Sequence, residues 1–364
     1  MLSNAKMLYD EPSPIDDSRY TMSDNNWKNR LEALGGRFSG NTFLGLDADH
    51  AEESAERSGF MTVLSHETIT SVSGPDAVRF LQGQVTCDVN QLAPEHSSLG
   101  ACCTPKGRMI ANFRVLNHDS RLLLTMPASD SNRQHDALKT HLSKYIVFYK
   151  AEIGDASDEW LRIGIFGDTC EKTLSKHFSL PEPNHGECGD GYCLLQLPGI
   201  KPRYELWLQP DAVDTWWPRL TGLFQVQPTS AWQHEDIRNG IAWVIPETRE
   251  AYIPQHFNWQ ILEGVSFKKG CYTGQEIVAR MQYLGKLKSR LYRLTGTLEE
   301  LPAPGTKILT SSGKSAGEIV SAISPVNTEL LAVLRSDAIS DTLTTELSAN
   351  APFSVEPLPY NVDA

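Results

Sequence analysis

The chain has 364 residues and a formal net charge of −12, from 33 basic against 45 acidic residues. Its length predicts two or three domains, and its 40% hydrophobic and 21% charged residues are typical of a globular protein. The acidic balance argues against general binding of a phosphate backbone. No apolar run reaches the roughly 18 residues of a transmembrane helix, and the N-terminus lacks a signal core. We therefore expect a cytoplasmic protein without a membrane partner.

Seven cysteines are scattered along the chain without a CxxC pair. Cys102 and Cys103 are adjacent, whereas Cys188 and Cys193 flank a glycine-rich GDGY loop. The second pair could contribute to a metal site, but no motif supplies the remaining ligands. We expect reduced, mostly buried thiols and no bound metal.

Residues 1–58 are polar and acidic, and they are interpreted as an N-terminal extension. Within them, NNWKNRLEALGG (25–36) predicts a short helix that is ended by its glycines. The rest of the extension has the composition of a flexible segment.

Residues 59–150 predict a first α+β lobe. Helices are predicted at AVRFLQGQV and SNRQHDALKTHLSKYI. Strands are predicted at MTVLSH, TITSVSG, SLGACCT, MIANFRVLNH, RLLLTMP and VFYKAEIG. Since consecutive strands are joined by hairpin turns, an α+β layer is expected.

Residues 151–287 repeat a similar order and predict a second lobe. Its strands are expected at EWLRIGIFG, YCLLQLPG and RYELWLQP, and its helices at TCEKTLSKHF and AVDTWWPRLTGLF. Residues 288–364 contain short strands separated by Pro, Gly, Ser and Asn, which favours a terminal β-barrel or sandwich. The predicted fold class is α+β, with two lobes followed by an all-β domain.

The most informative stretch is FKKGCYTGQE (267–276), which directly precedes the helical run IVARMQYL. Thr273 and Glu276 have the spacing of a capping box. This interpretation gives the pair a structural role at the start of the helix.

Cys271 lies just ahead of this helix, beside Lys268 and Lys269. Both the helix dipole and the ammonium groups favour a thiolate at this position. The alternative is that Cys271 is a small buried apolar residue, as most free cysteines are.

Residues 268–293 reverse the charge balance of the chain, with one acid, Glu276, against seven basic residues. The basic residues are Lys268, Lys269, Arg280, Lys286, Lys288, Arg290 and Arg293. The stretch could be a solvated helix face, or it could bind carboxylates or phosphates.

A second polar stretch, LQGQVTCDV (81–89), carries Gln82, Gln84 and Asp88. These side chains could line a polar pocket or cap the preceding helix. No zinc-protease, serine-hydrolase, P-loop or dinucleotide-binding motif is found in the sequence.

Four stretches together resemble one known family. They are FLQGQVTCDV (80–89), TPKGRMIANFRV (104–115), IPQHFNWQ (253–260) and SFKKGCYTGQEIVARMQYLGK (266–286). They are similar to the YgfZ-type folate-binding proteins, which are relatives of the glycine-cleavage T-protein, a tetrahydrofolate-dependent aminomethyltransferase. The resemblance covers roughly residues 60–357. It implies a three-domain cloverleaf, in which two α+β, ferredoxin-like lobes and a C-terminal β-barrel surround a central folate cavity.

The resemblance also implies a function. We expect a tetrahydrofolate-binding accessory protein in iron–sulfur cluster assembly or repair that supports tRNA modification indirectly. Its expected partners are folate and iron–sulfur client enzymes or assembly factors, without direct binding of nucleic acid. Whether the protein catalyses a conventional reaction is left open.

The family's functional residues are expected at the matching positions of this chain. Cys271, assisted by Lys269, is the expected catalytic group, and the cations around Lys269 and Arg280 would favour the glutamate carboxylates of the folate. The expected folate-binding residues are Lys268, Tyr272, Gly274, Gln275, Glu276, Arg280, Gln82, Gln84, Asp88, Asn112, Gln255 and Asn258.

Two alternative functions are considered. The first is an aminomethyltransferase of the T-protein type. The matching T-protein strand reads like GGIxDD and carries an essential aspartate, whereas this chain has Ala111 and Asn112 there. The missing carboxylate argues against methylene transfer. The second alternative is direct tRNA binding through the basic residues 268–293.

Overall fold

The computed structural model describes residues 27–50, 57–128, 134–323 and 328–362. The helices are α1 (Trp27–Ala33), α2 (Ala77–Gln82), α3 (Gln134–Ile146), α4 (Cys170–Leu174), α5 (Val213–Leu223), α6 (Thr229–Arg238) and α7 (Gln275–Tyr283), with 3₁₀ turns at Val89–Gln91, Pro210–Ala212, Pro246–Thr248 and Pro254–Phe257. The strands are β1 (Gly36–Ser39), β2 (Thr42–Leu46), β3 (Phe60–Val63), β4 (Glu67–Ser73), β5 (Ser97–Cys103), β6 (Met109–His118), β7 (Arg121–Pro127), β8 (Glu152–Asp155), β9 (Leu161–Phe166), β10 (Gly186–Gly189), β11 (Tyr192–Leu197), β12 (Arg203–Leu208), β13 (Gln225–Val226), β14 (Ser289–Gly296), β15 (Lys307–Leu309), β16 (Ser315–Ile323), β17 (Thr328–Arg335), β18 (Leu343–Thr345) and β19 (Ser348–Glu356). None of the described helices is long and apolar enough to cross a membrane.

The first lobe is an antiparallel sheet with the strand order β5-β6-β7-β4-β8. Leu138 and Leu142, four residues apart on α3, pack with Phe80 of α2 over one face of this sheet. The predicted strand VFYKAEIG is shorter than expected and contains only β8. Val147 and Phe148 instead lie in a turn, where they are 70% and 86% exposed.

The second lobe is a six-stranded sheet with the order β10-β11-β12-β9-β3-β13. On β12, Tyr204 and Leu206 point into the core beneath α5, together with Trp217. Because side chains alternate along a strand, Arg203 and Glu205 point to the opposite face, toward the first lobe. The two sheets pack through a small apolar cluster that includes Leu116 of β6 and Trp207 of β12.

The N-terminal residues belong to the second lobe. The helix predicted within residues 25–36 is confirmed as α1, and Gly35 follows its end with φ of +86°. The expectation that the remaining extension is flexible is wrong for residues 36–46. They form the hairpin β1–β2, in which Phe43 is fully buried in the second lobe's core. Residues 1–26 and 51–56 of this extension lie outside the described residues.

Strand β3 also pairs differently from the sequence interpretation. It was assigned to the first lobe, residues 59–150, but it pairs antiparallel with β9 and parallel with β13 of the second sheet. An alternating pattern defines which residues of a strand are buried but not which strand is its neighbour.

The C-terminal domain is a closed barrel in the order β14-β17-β16-β15-β18-β19, as predicted. Its interior is apolar and includes Leu294, Ile319 and Leu330. A separate core connects the barrel to the first lobe, because Leu291 of β14 packs in one cluster with Ala101 of β5 and Val278 of α7.

Candidate functional site

The segment 264–276, called the motif loop here, lies along residues 83–87 of the first lobe. The hydrogen bonds between them are Thr86 Oγ1 to Gly264 O (2.5 Å), Ser266 N to Thr86 O (2.9 Å) and Thr273 N to Gly83 O (3.2 Å). The sequence interpretation places this motif in the second lobe, residues 151–287, yet its hydrogen bonds attach it to the first. Two of the stretches that carry the family resemblance are therefore in direct contact.

Lys269 anchors this contact. Its side chain is buried, and Nζ donates hydrogen bonds to the carbonyl oxygens of Val85 (2.8 Å) and Cys87 (2.6 Å). Burial lowers the pKa of Lys269 to about 8, against the opposing influence of Cys87 and Asp88. The ammonium also lies 5.3 Å from the centre of the Tyr272 ring. Lys269 thus holds the loop in place, and its predicted assistance to Cys271 stays a prediction.

The start of α7 differs from the predicted capping box. The residue before the helix is Gly274, which has φ of 86°, and no side chain caps the helix. Thr273 Oγ1 instead donates to Gln84 Oε1 of the first lobe at 3.2 Å. A Cβ on Gly274 would lie 2.5 Å from Thr104 O, so glycine is required by both conformation and space. The capping-box prediction is wrong because a tertiary contact engages the Thr273 hydroxyl.

Cys271 is exposed at the tip of the motif loop. The alternative that it is a small buried residue is therefore wrong. All seven cysteines lie within the described ranges, and the other four free thiols are buried. Burial raises the pKa of Cys87 to about 11 and that of Cys102 to about 12, which keeps these thiols protonated. Cys271 alone among the seven therefore offers a free thiol to solvent.

The expectation of reduced thiols is correct for these five cysteines and wrong for the remaining two. Cys188 and Cys193 form a disulfide between neighbouring positions of β10 and β11. The antiparallel pairing brings the two side chains together, which the sequence spacing alone does not show.

Several predicted residues lie in the motif loop with Cys271 or in α7, which follows it. Lys268, Glu276 and Arg280 are exposed, and Gln275 is half-buried at the start of α7. Tyr272 is buried, burial raises the pKa of its hydroxyl, and its Oη has no hydrogen-bond partner among the described residues. The loop therefore presents an exposed thiol between the buried residues Lys269 and Tyr272 in the sequence.

The polar residues of the second motif have mainly structural partners. Gln82 Nε2 donates to Asp88 Oδ1 at 2.9 Å, and Val89 N donates to Gln82 Oε1 at 2.8 Å. These bonds close the turn after α2. Gln84 accepts from Thr273, as described above.

Asn112 is fully buried and connects β6 to the segment that follows α6. Its Nδ2 donates to Ala242 O at 2.8 Å, while its Oδ1 accepts from Val244 N at 2.6 Å. Both ends of this amide are engaged within the fold. Ala111 is also fully buried. Since the two positions hold alanine and asparagine, neither supplies a carboxylate.

Gln255 and Asn258 are likewise buried in the core between the first lobe and the barrel. Gln255 Nε2 donates to Val278 O at 2.7 Å, and Asn258 Nδ2 donates to Leu291 O at 3.0 Å. The amide oxygens of both residues lack partners within the part of the chain that the structure describes. Their predicted contacts with folate stay predictions.

Sequence reasoning missed a buried group of charged residues between the two sheets. We call it the junction cluster; its members are Glu67, Arg162, Arg203, Glu205 and Asp236. Arg162 binds Glu67 and Glu205 at 2.7 Å each, and Arg203 binds Asp236 at 2.8 Å. Arg203 and Glu205, alternating inside the apolar strand RYELWL, were the available signal, because charged residues are rarely buried unless paired.

In the junction cluster, Arg162 and Glu205 stabilise each other's charged forms, whereas burial raises the pKa of Glu67. Burial alone would lower the pKa of Arg162, but Glu205 and Glu67 outweigh it and raise that pKa. Burial also works to raise the pKa of Glu205, but Arg162 and Arg114 reverse the effect and lower it. Burial raises the pKa of Asp236 despite its contact with Arg203.

All members of the junction cluster except Arg162 line a small cavity, together with Arg114, Trp232 and Trp243. The free volume of this cavity is about 10 Å³, which is room for one water molecule. Nε and Nη2 of Arg203 are buried and have no hydrogen-bond partner among the described residues. The cavity thus combines indole surfaces, carboxylates and unused guanidinium donors at the meeting of the two lobes.

The basic stretch 268–293 is divided by the fold. Lys269 is buried, Arg290 donates to Val362 O, and Arg293 faces Glu329 and Glu356 of the barrel at 3.9 Å each. The exposed cations of the stretch are Lys268, Arg280, Lys286 and Lys288. Part of the predicted anion-binding charge is therefore engaged within the protein.

Family comparisons agree with this architecture. The GCVT N-terminal domain family matches residues 45–185, and the CAF17 C-terminal beta-barrel domain family matches residues 288–359. The aminomethyltransferase T of the glycine cleavage system from Bartonella henselae has a similar structure, with a TM-score of 0.70 and 15% identity over 91% of this chain and 96% of that one. At this identity the likeness shows the fold alone.

Comparison with proteins of similar sequence identifies the family more narrowly than the fold does. The tRNA-modifying protein YgfZ of Pectobacterium carotovorum subsp. carotovorum (strain PC1) is 32% identical over 85% of this chain and 94% of its own length. The protein of the same name from Cronobacter sakazakii (strain ATCC BAA-894) is 31% identical over 83% and 94%. With its two α+β lobes, closed barrel and exposed Cys271, the chain belongs to the YgfZ family of tRNA-modifying proteins.

Proposed function

We propose that this protein is a folate-binding accessory protein in iron–sulfur cluster assembly or repair, and that it supports tRNA modification indirectly. The name of its YgfZ relatives supports the link to tRNA modification. The observation that carries the proposal is the exposed thiol of Cys271 on an anchored loop. The other parts follow from the chemistry of this thiol and of the junction cavity.

The thiol of Cys271 is suited to holding an iron–sulfur cluster as cargo. The sulfur of Cys271 displaces one thiolate of the cluster's previous carrier from a cluster iron, and the proton of Cys271 passes to that thiolate. A client thiol later displaces Cys271 in the same way, and the proton of the client thiol returns to Cys271. No electron transfer is required in this exchange. A single exposed cysteine provides one such bond, which favours transient over permanent binding, since stable clusters take about four cysteines.

A Cys271→Ser substitution tests this role. In cells that lack the protein, we expect the variant to restore at most one tenth of the dependent tRNA modification, measured by mass spectrometry of tRNA nucleosides. Gln282→Ser, at an exposed position of α7, is the matched control and should restore the wild-type level. Thermal melts of both purified variants establish that they are folded. Full restoration by Cys271→Ser would reject the thiol function.

The junction cavity is the proposed place of the folate. The pterin ring of tetrahydrofolate is flat and carries both donors and a carbonyl acceptor. Trp243 could stack on such a ring, the free donors of Arg203 suit its carbonyl, and Asp236 suits its amino group. When bound, the folate would act as a carrier of one-carbon units. Because the cavity now holds only about 10 Å³, binding there requires it to widen.

Titration of the purified protein with tetrahydrofolate, followed by calorimetry, tests this part separately. We expect saturable binding in the micromolar range, weakened about tenfold by Trp243→Phe because the stacking surface shrinks. Trp216→Phe is the matched control, since Trp216 stacks on Phe178 in the second lobe's core. Absence of saturable binding would reject folate as a ligand, and equal affinity in Trp243→Phe would reject the junction as its site.

The two alternative functions have weaker support. Aminomethyl transfer lacks a carboxylate at Ala111 and Asn112, and the Asn112 amide is engaged at both ends. Turnover with an aminomethylated carrier protein would nevertheless establish it. Direct tRNA binding is disfavoured by the net charge of −12. A specific mobility shift with tRNA that persists at moderate salt would establish that function.

A further inference from the structure

A second group of reactive side chains lies away from Cys271, where the edge of the second sheet meets the first lobe. The hairpin β10–β11 forms this edge. It is attached to the loop before β5 by hydrogen bonds from Gly186 N to Glu95 O (2.7 Å) and from Ser97 N to Asn184 O (2.8 Å). Side chains from both lobes therefore converge here.

Four of these side chains offer metal-binding atoms. Glu95 and His118 come from the first lobe, and Cys188 and Cys193 come from the second. Their donor atoms all lie within 4.8 Å of one another. Glu95 Oε2 lies 2.8 Å from His118 Nδ1, 3.0 Å from Cys188 Sγ and 3.7 Å from Cys193 Sγ. Two sulfurs, one imidazole nitrogen and one carboxylate oxygen are a donor set that Zn²⁺ accepts in tetrahedral sites.

The surroundings of His118 favour a ligand role. Its Nε2 lies 3.4 Å from Asp119 Oδ2, outside the group. This carboxylate would hold a proton on Nε2, which leaves Nδ1 free to coordinate. Metal-bound histidines commonly donate their other ring N–H to a carboxylate in this way. The ring also packs against Trp160 with centroids 5.1 Å apart, which restricts its orientation.

Burial gives the group an enclosed side and an open side. Cys193 is 1% exposed and belongs to the apolar cluster between the two sheets. Cys188 and Glu95 are only half-buried. An ion can therefore reach the group from solvent, and its thiolates would be partly shielded from water once it binds.

We propose that Glu95, His118, Cys188 and Cys193 form a Zn²⁺ site in the reduced protein, and that this site cross-links the two lobes. The Cys188–Cys193 disulfide is the metal-free, oxidised form of the same group. A dithiol reduces this disulfide to two thiols and itself becomes a disulfide; Zn²⁺ then displaces the two thiol protons. Hydrogen peroxide reverses the change: it takes two electrons from the thiolates, which form the disulfide, and with two protons from solvent it becomes two waters as the ion leaves.

Metal content of the wild-type protein is the first measurement. After reduction with a dithiol, loading with Zn²⁺ and desalting without oxygen, we expect about one Zn²⁺ per chain by mass spectrometry of the metal. Protein oxidised with peroxide beforehand should retain less than a tenth of that amount. Equal retention by both forms, or none by the reduced form, would overturn the proposal.

Alkylation in the same samples locates the ion without any substitution. Bound Zn²⁺ should slow labelling of Cys188 and Cys193 at least tenfold, while Cys271 is labelled at an unchanged rate and serves as the internal control. If Zn²⁺ protects Cys271 and leaves the pair reactive, the ion binds elsewhere and the proposal is wrong.

Variants then test the ligands individually. Cys188→Ser and His118→Asn should each weaken Zn²⁺ binding at least tenfold in competition with a coloured chelator. Cys271→Ser and His177→Asn are the matched controls, because both residues are exposed and lie outside the group. Unchanged affinity in both ligand variants would leave the disulfide as a simple covalent link and refute the metal site.

Discussion

The motif loop and the junction cluster both connect distant parts of the chain, but they do so in opposite ways. In the motif loop, one short stretch supplies the anchor Lys269, the glycine Gly274 and the exposed thiol Cys271. In the junction cluster, charged residues from β4, β9, β12 and α6 are buried and neutralise one another.

This difference has a physical consequence. The motif loop keeps a reactive group in water and uses buried neighbours to hold its position, so its chemistry is available to a partner. The junction cluster takes its charges out of water, which is tolerable only while each charge keeps its partner. We therefore expect substitutions in the junction to change stability, and substitutions in the loop to change mainly the reactivity of Cys271.

Removing Arg162 should have the largest effect. Arg162→Met leaves Glu67 and Glu205 buried without their counter-charge, and we expect a loss of about 3–5 kcal/mol in the free energy of unfolding. Arg121→Met, which breaks an exposed ion pair with Glu159, should cost at most about 1 kcal/mol. Urea denaturation measures both losses. Similar losses in the two variants would show that the buried ion pairs of Arg162 contribute no more to stability than the exposed ion pair of Arg121.

Gly274→Ala should disturb the motif loop more than any other small change there. Holding alanine in the left-handed region costs about 1–2 kcal/mol, and overlap of its Cβ with Thr104 O adds about 1–3 kcal/mol. We expect a total loss of about 2–5 kcal/mol in the free energy of unfolding, and faster alkylation of Cys271. Gly270→Ala is the control, since nothing lies within 4 Å of its added Cβ. If the two variants behave alike, the loop is not held by its contact with the first lobe.

The stability of the junction should also depend on pH, through the buried His66. Burial lowers the pKa of His66, next to Glu67, from 6.5 to about 4. Between these values the unfolded chain binds a proton that the folded chain does not, so stability falls as the pH falls. From pH 7 to 5 this contributes a loss of about 2 kcal/mol. Denaturation at both pH values should show this loss reduced in His66→Gln and retained in His177→Gln, and equal losses would contradict it.

Lys269→Met should produce the smallest change in stability and a clear change in reactivity. It leaves the carbonyl oxygens of Val85 and Cys87 without a buried donor, at a cost of about 1–2 kcal/mol. We expect Cys271 to be alkylated at a rate that differs several-fold from wild type, because the loop loses its anchor. Lys268→Met, at an exposed position, should leave the thermal midpoint unchanged. An unaltered alkylation rate in Lys269→Met would show that Lys269 does not position Cys271.

Much of the fold was predictable because the decisive signals are local. Alternating and helical periods indicated both lobes, the terminal barrel and the short helix α1, and the stretch around Cys271 indicated the family. Periodicity depends on neighbouring residues alone, so it can be read without knowing the tertiary structure.

What the sequence by itself determined is thus the order of the elements and the stretch that displays Cys271. The tertiary structure decided which distant elements meet: β3 joins the second sheet, Thr273 binds Gln84 and does not cap its own helix, and Arg162 lies between two glutamates. It also brought His118 beside the Cys188–Cys193 pair. Such contacts depend on how the sheets and loops pack. They join residues up to 189 positions apart in the chain, and local sequence patterns do not indicate which distant residues will meet.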